Sequence, residues 1–172
     1  LPLGRGAQRE LAPGTAAVRV EPWTDGGWIV LVETLQTQLL VTMPKRKLVW
    51  LDAELAVTRE YLPPEGRLLI DFAAHPSGAA TALEIEPAPG NDLFLRPIHS
   101  RLTRFLPDRS TVSAELGSGI PDTGDRPQIL FSLDRGRIAA SGEDVQVAMR
   151  WSDNSVRAHR LEFRDGTFRP VW

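Results

Sequence analysis

The chain has 172 residues, of which 42% are hydrophobic and 24% charged, and its formal net charge is −2 at neutral pH. These are the proportions of a sequence that folds around a packed core, and the length suffices to bury roughly two thirds of the surface its unfolded form exposes. It contains no cysteine, which excludes disulfides, thiolate nucleophiles and cysteine-ligated zinc or iron–sulfur centres, and no run reaches the ~18 apolar residues of a membrane-spanning helix.

The basic residues are lopsided, eighteen Arg against two Lys (Lys45 and Lys47), a bias that fits a GC-rich genome as well as a functional need for arginine. Residues 1–50 carry six basic and four acidic side chains, residues 51–125 six and twelve, and residues 126–172 eight and six. The middle of the chain is acidic, and neither end is basic enough to demand a nucleic-acid partner.

Residues 1–14 hold three Gly and two Pro among few large apolar groups and read as a flexible tail or linker. The start at Leu1 suggests a processed or truncated product. A single β-rich domain is expected over residues 15–172. Ala17 to Trp23 and Trp28 to Val32 have strand composition and flank the turn residues Thr24 to Gly27, which predicts a hairpin with a Trp at each shoulder. Gln38 to Met43 and Leu48 to Leu51 predict a second hairpin around the charged connection Pro44 to Lys47.

Asp52 to Leu62 opens on the helix-forming Ala53-Glu-Leu-Ala and is read as a short helix, ended by Pro63-Pro64-Glu-Gly66. Arg67 to Phe72 reads as a buried strand, Thr81 to Glu86 alternates with Leu83 and Ile85 on one face, and Asp92 to Leu95 is a further short candidate. Pro97 to Leu106 has Ile98, Leu102, Phe105 and Leu106 at helical spacing, with Pro97 suited to a first turn and Pro107 as a stop. It predicts an amphipathic helix with His99, Arg101 and Arg104 on its polar face. Leu116 to Asp125 is rich in Gly and Asp and reads as a loop.

The C-terminal third predicts an antiparallel meander. Ile129, Phe131 and Leu133 share a face, Asp134-Arg-Gly136 turns, Val145, Val147, Met149 and Trp151 share a face, and Ser152 to Ser155 turns again. If Asp165-Gly166 is a two-residue loop, Phe163 lies opposite Phe168, Leu161 opposite Pro170, His159 opposite Trp172, and Glu162 meets Arg169 on the other face. Val156 and Ala158 are out of phase with Leu161 and Phe163, which points to a bulge near Arg160 or to burial on both faces. The fold class expected is mainly β, an antiparallel sandwich or partly open barrel with one or two short helices.

Motifs that carry chemistry are sparse. His75, His99 and His159 share no metal-ligand spacing, no phosphate-binding glycine loop is present, and Asp122-Thr-Gly-Asp125 lacks the full spacing of a calcium loop. Asp71-Phe-Ala-Ala-His75 resembles the segment around the catalytic histidine of chymotrypsin-like proteases over a handful of residues, but the nucleophile turn of that family is absent and only Gly117-Ser-Gly119 stands near it. Glu84 and Glu86 share one side of a strand, the placement of paired carboxylates and equally of a solvated face. The arginines at 150, 157, 160, 164 and 169 run beside Trp151 and Trp172, an arrangement that stacks single-stranded nucleic acid or, with Glu162 among them, forms a charge-paired surface.

The expectation is a non-catalytic, extracytoplasmic bacterial domain, periplasmic or cell-surface, that binds another protein or an apolar small ligand and needs no cofactor. Trp23, Arg101, Arg104, His159 and Trp172 are its candidate binding residues, with no catalytic or metal-ligating residue assigned. The alternatives are a hydrolase using His75 with Asp71, and a weak single-stranded nucleic-acid binder using the C-terminal arginine face.

Overall fold

The computed structural model describes residues 13–38, 41–87, 97–118, 136–150 and 156–171. The expected N-terminal tail up to residue 12, the strand candidates Asp92 to Leu95 and Ile129 to Leu133, most of the Gly- and Asp-rich loop, the Ser152 to Ser155 turn, Trp151 and Trp172 lie outside them. The chain divides into two compact units, Leu1–Leu62 and Pro63–Trp172. The described residues form three four-stranded antiparallel sheets, none closed into a barrel, and the fold is mainly β with a sandwich-like arrangement.

The first unit is a meander of β1 (Thr15–Pro22), β2 (Trp28–Gln38), β3 (Val41–Leu51) and β4 (Val57–Tyr61). The first predicted hairpin is present: Pro22 pairs with Trp28, and Trp23 N–H donates to Gly27 O at 2.8 Å across a single 3-10 turn, Thr24–Gly26. A Cβ on Gly27 would lie 2.5 Å from the Leu51 carbonyl oxygen, so this close approach of two backbones requires glycine. Val30, Val32, Val49 and Leu51 cluster on one face of β2 and β3, while Ile29, Leu31, Leu48 and Trp50, on the other face, are buried as well.

The second predicted hairpin is displaced. Pro44 to Lys47 is not a connection but the middle of β3, which already pairs with β2 from Val41, opposite Gln38. Two of its three charges have partners on neighbouring strands: Arg46 Nε lies 2.8 Å from Glu33 Oε2, directly opposite on β2, and Lys47 Nζ 2.8 Å from Glu60 Oε1 on β4. Pro44 is tolerated where β3 has one neighbour, since β4 covers only Leu48 to Leu51.

The short helix expected from Asp52 is also absent. Asp52 Oδ1 accepts the backbone N–H groups of Glu54 (3.1 Å) and Ala56 (2.7 Å), and Leu55 takes a φ of +64°, so the chain reverses in three residues and enters β4. A carboxylate that satisfies the local amides offers the backbone an alternative to the helix. The same turn recurs twice in the second unit. In each, a residue donates its N–H to the carbonyl four positions on and accepts from the residue before that, as at Asp52/Ala56, His75/Ala79 and Leu106/Ser110. The left-handed position is Leu55, Gly78 and Arg109 in turn, the geometry of a three-residue hairpin loop.

In the second unit, β5 (Leu68–Ala74), β6 (Ala80–Pro87), β7 (Pro97–Phe105) and β8 (Thr111–Ser118) form one sheet. The other contains β9 (Gly136–Ser141), β10 (Asp144–Arg150), β11 (Val156–Arg164) and β12 (Thr167–Val171), ordered β12-β11-β10-β9. Ile70, Leu83, Ile85 and Leu102 from the first sheet meet Ile138, Val145, Val147, Met149 and Leu161 from the second in one core. The predicted alternation of Val145, Val147 and Met149 is the buried face of β10. β9 is unexpected from the sequence, because Arg-Ile-Ala-Ala has little strand character; it is reached through the two-residue turn Gly142-Glu143.

Among the described residues, the 3-10 turn is the sole helical element, so the predicted helix at Pro97 to Leu106 is a strand, β7. Spacings of i and i+4 satisfy a strand face as well as a helix face, and β6 and β8 pair with β7 on either side. The consequence for the side chains is large. His99 and Arg101 stay on one side of the strand, but Arg104 lies on the other, with Leu102, and is 1% exposed.

The Asp165-Gly166 loop has positive φ at both residues, and the register is the predicted one: Phe163 with Phe168, Leu161 with Pro170 and Glu162 with Arg169. The Phe163 and Phe168 rings meet edge to face at 5.1 Å. Neither the bulge near Arg160 nor burial on both faces occurs; β11 pairs with β10 without interruption, and Val156, at 69% exposure, lies on the solvent face with Ala158.

Two packing contacts yield stability predictions. A Cβ on Gly136 would lie 2.9 Å from both Ile70 Cγ2 and Leu83 Cδ2, inside the core, so Gly136→Ala is expected to lower unfolding free energy by about 1–3 kcal/mol in urea titration. Asp52→Ala, which leaves two turn amides to water, is expected to cost about 1 kcal/mol by the same measurement.

Candidate functional site

Polar side chains gather at one end of the second unit, where the β5–β6 turn meets the β9–β10 turn. His75 closes the first turn and is buried; its Nδ1 lies 2.9 Å from Gly142 O and its Nε2 2.8 Å from Thr81 Oγ1. The carbonyl only accepts, so Nδ1 donates. Arg104 reaches the same place from β7, with Nη1 donating to Glu143 O at 2.8 Å and Nη2 ion-paired with Glu143 Oε2. Its guanidinium carbon lies 4.0 Å from the centroid of the Phe163 ring, over the ring face. Glu143 also accepts from Ser77, from the backbone N–H at 3.0 Å and the hydroxyl at 2.8 Å.

The electrostatics follow from this arrangement. Burial pulls Arg104 below the ordinary guanidinium value, and Glu143 opposes that pull. For Glu143, burial works to raise the pKa, but the two Ser77 hydrogen bonds, and then the positive fields of Arg104 and His75, outweigh it and hold the carboxyl below its usual value.

His75, two hydroxyls and a carboxylate therefore converge, but not in the order of a nucleophilic triad. A triad needs the imidazole between hydroxyl and carboxylate. Here the Ser77 hydroxyl donates directly to the Glu143 carboxylate, and the hydroxyl at His75 Nε2 belongs to Thr81, which has no exposed surface. Asp71, the acid paired with His75 from the sequence, instead accepts the Ile138 backbone N–H at 3.1 Å. A shift of register between Leu69 and Asp71 accompanies that bond, which ties β5 to β9. Gly117 and Ser118 belong to β8, with Ser118 opposite His99. Among the described residues no group of His, Asp and Glu could hold a metal ion.

The outward face of the β9–β12 sheet carries a second feature, an open depression of about 480 Å³. Arg137, Ala139, Gln146, Ala148, Ala158 and Arg160 line it, and all six are exposed. The register explains its shape. Arg137, Ala148 and Ala158 form one cross-strand row, and Ala139, Gln146, Arg160 and Val171 form the next, so three alanines and Gln146 lie between Arg137 and Arg160 at opposite corners. Arg160 Nη2 lies 3.4 Å from Asp144 Oδ2, and Arg137 Nη1 donates to Gly136 O at 3.0 Å.

The five binding candidates from the sequence are dispersed. Trp23, half-buried, sits in the β1–β2 turn of the first unit. Arg101 is ion-paired with Glu115 on β8 at 2.6 Å, while Arg104 is buried in the network above. His159 lies half-buried on β11 opposite Val147, bordering the depression, with no hydrogen-bond partner for its Nε2 among the described residues; Trp172 is outside them. Sequence reading missed Arg137, Ala139, Ala148, Ala158 and Glu143. The alanines carry no chemical signal of their own, and only the pairing of β9 with β10 and β11 places them together. Glu84, considered as half of a carboxylate pair, is fully buried, whereas Glu86 is exposed.

The Glu143 assignment sets a pH dependence. A carboxyl held below its unfolded value stabilises the fold fully above that value, near 4.5, and the contribution is lost as pH falls through the lowered folded value. Glu143→Gln is expected to be less stable than the wild type at pH 7, with the gap between their urea midpoints closing as pH falls from 5 toward 2. A gap independent of pH would show that the charge of Glu143 does not matter.

What the two features do has to be read from the chain itself, because in comparisons with known proteins no family model, no curated protein and no solved structure matches it.

Proposed function

We propose that this chain is a non-catalytic binding or assembly module that seats a protein segment on the outward face of the β9–β12 sheet. The observation that carries this reading is the depression of about 480 Å³, whose lining mixes alanine methyls, an amide and two guanidinium groups. A mixed lining on an open sheet face suits a polypeptide, which brings both apolar side chains and backbone polar groups, better than a wholly apolar molecule. The engagement of both His75 ring nitrogens within the fold, one of them with the buried Thr81, supports a structural task for that residue. The lack of cysteine leaves the chain compatible with an oxidising compartment such as the periplasm or cell surface, where we place it.

The test is a titration of isotope-labelled protein with a pool of short acetylated peptides, followed by backbone amide shifts. Shifts are expected at Ala139, Gln146, Ala148 and Ala158, and their loss is expected in Ala148→Trp. That position faces solvent, so its stability should stay within about 0.5 kcal/mol of the wild type. Shifts confined to other faces of the protein would refute the assignment.

A further inference from the structure

The two guanidinium groups of the depression also specify what it would hold. Resting on the binding reading above, we infer that the seat selects an extended, acidic peptide segment with carboxylates at positions i and i+4. Arg137 faces Ala148 across one strand boundary, and Ala148 faces Ala158 across the next, with Arg160 two residues further along β11. At about 4.8 Å per strand and about 3.4 Å per residue, the two arginine positions lie diagonally about 12 Å apart.

In an extended peptide, alternate side chains point to the same side, and residues i and i+4 are separated by about 13 Å. Two carboxylates at that spacing match the two guanidiniums, and the three intervening residues lie over the alanine floor and the Gln146 amide. The next row of the same face is mixed in charge, with Asp144 and Glu162 beside the depression and Arg169 opposite Glu162. Asp144 is ion-paired with Arg160 at 3.4 Å. Two separated carboxylates match the two guanidiniums of the depression alone, whereas the closely spaced phosphates of a nucleic-acid backbone would also be brought against Asp144 and Glu162.

The experiment compares acetyl-Glu-Val-Thr-Val-Glu-amide, its Gln-for-Glu counterpart and a six-residue oligothymidylate, each titrated into the labelled protein at low and at physiological salt. The acidic peptide is expected to bind at least tenfold tighter than the Gln peptide, to shift the amides of Ala139, Ala148 and Ala158, and to weaken with salt. The exposed-site double variant Arg137→Gln/Arg160→Gln should abolish the tenfold preference while its thermal midpoint stays near that of the wild type. Equal binding of the two peptides at these amides would leave the binding seat standing and overturn acid recognition. Tighter binding of the oligothymidylate would overturn the peptide assignment, and no shift at the seat with any probe would overturn both readings.

Discussion

The sandwich depends on one buried cation. Arg104 projects from β7 into a place where an unpaired charge would cost several kcal/mol, and its position is secured only because separate elements supply its partners. Glu143 comes from the β9–β10 turn, Phe163 from β11 and His75 from the β5–β6 turn. The guanidinium thus fixes the end of one sheet against the end of the other. Ser77 in turn orients Glu143, so the exposed tip of one hairpin is tied to the exposed tip of another. A lysine could not serve here, since one ammonium cannot span a carboxylate, a carbonyl and an aromatic face in the planar geometry a guanidinium offers.

Asp71 and Gly136 do comparable work at the β5–β9 seam. The carboxylate of Asp71 takes the Ile138 N–H, so among the described residues a side chain satisfies a donor on the edge of β9 that a further strand would otherwise accept. The missing side chain at Gly136 lets the start of β9 approach Ile70 and Leu83. Polar closure and tight apolar contact hold the same strand, and both leave its outward face available. The depression is a consequence: with β9 seated, its Arg137 and Ala139 extend the rows begun by Ala148, Ala158, Gln146 and Arg160.

This division of labour separates the stabilising chemistry from the surface proposed to recognise a partner. The side chains that resemble catalytic groups in composition, His75, Ser77, Thr81 and Glu143, are spent on joining turns, and the surface proposed to bind is built largely from residues with little chemical character. A sheet face of this kind gains its specificity from register, because a slip of one residue in β9 would turn Arg137 and Ala139 inward.

The sequence by itself determined what neighbours along the chain decide. Asp165-Gly166 accepts the positive φ values of a two-residue turn, and that turn sets the pairing of Phe163 with Phe168 and Glu162 with Arg169. Val145, Val147 and Met149 alternate with polar or small residues, which makes β10 a strand with one buried face. Tertiary structure decided the rest. Pro97 to Phe105 has a spacing that fits helix and strand alike, and pairing with β6 and β8 selected the strand, which moved Arg104 from a supposed solvent face into the interior. Pro44 to Lys47 reads as a loop until Glu33 is brought opposite Arg46 and Glu60 within ion-pair distance of Lys47. The binding surface was illegible for the same reason: its alanines and arginines come from three strands, and no local signal states which strands will pair.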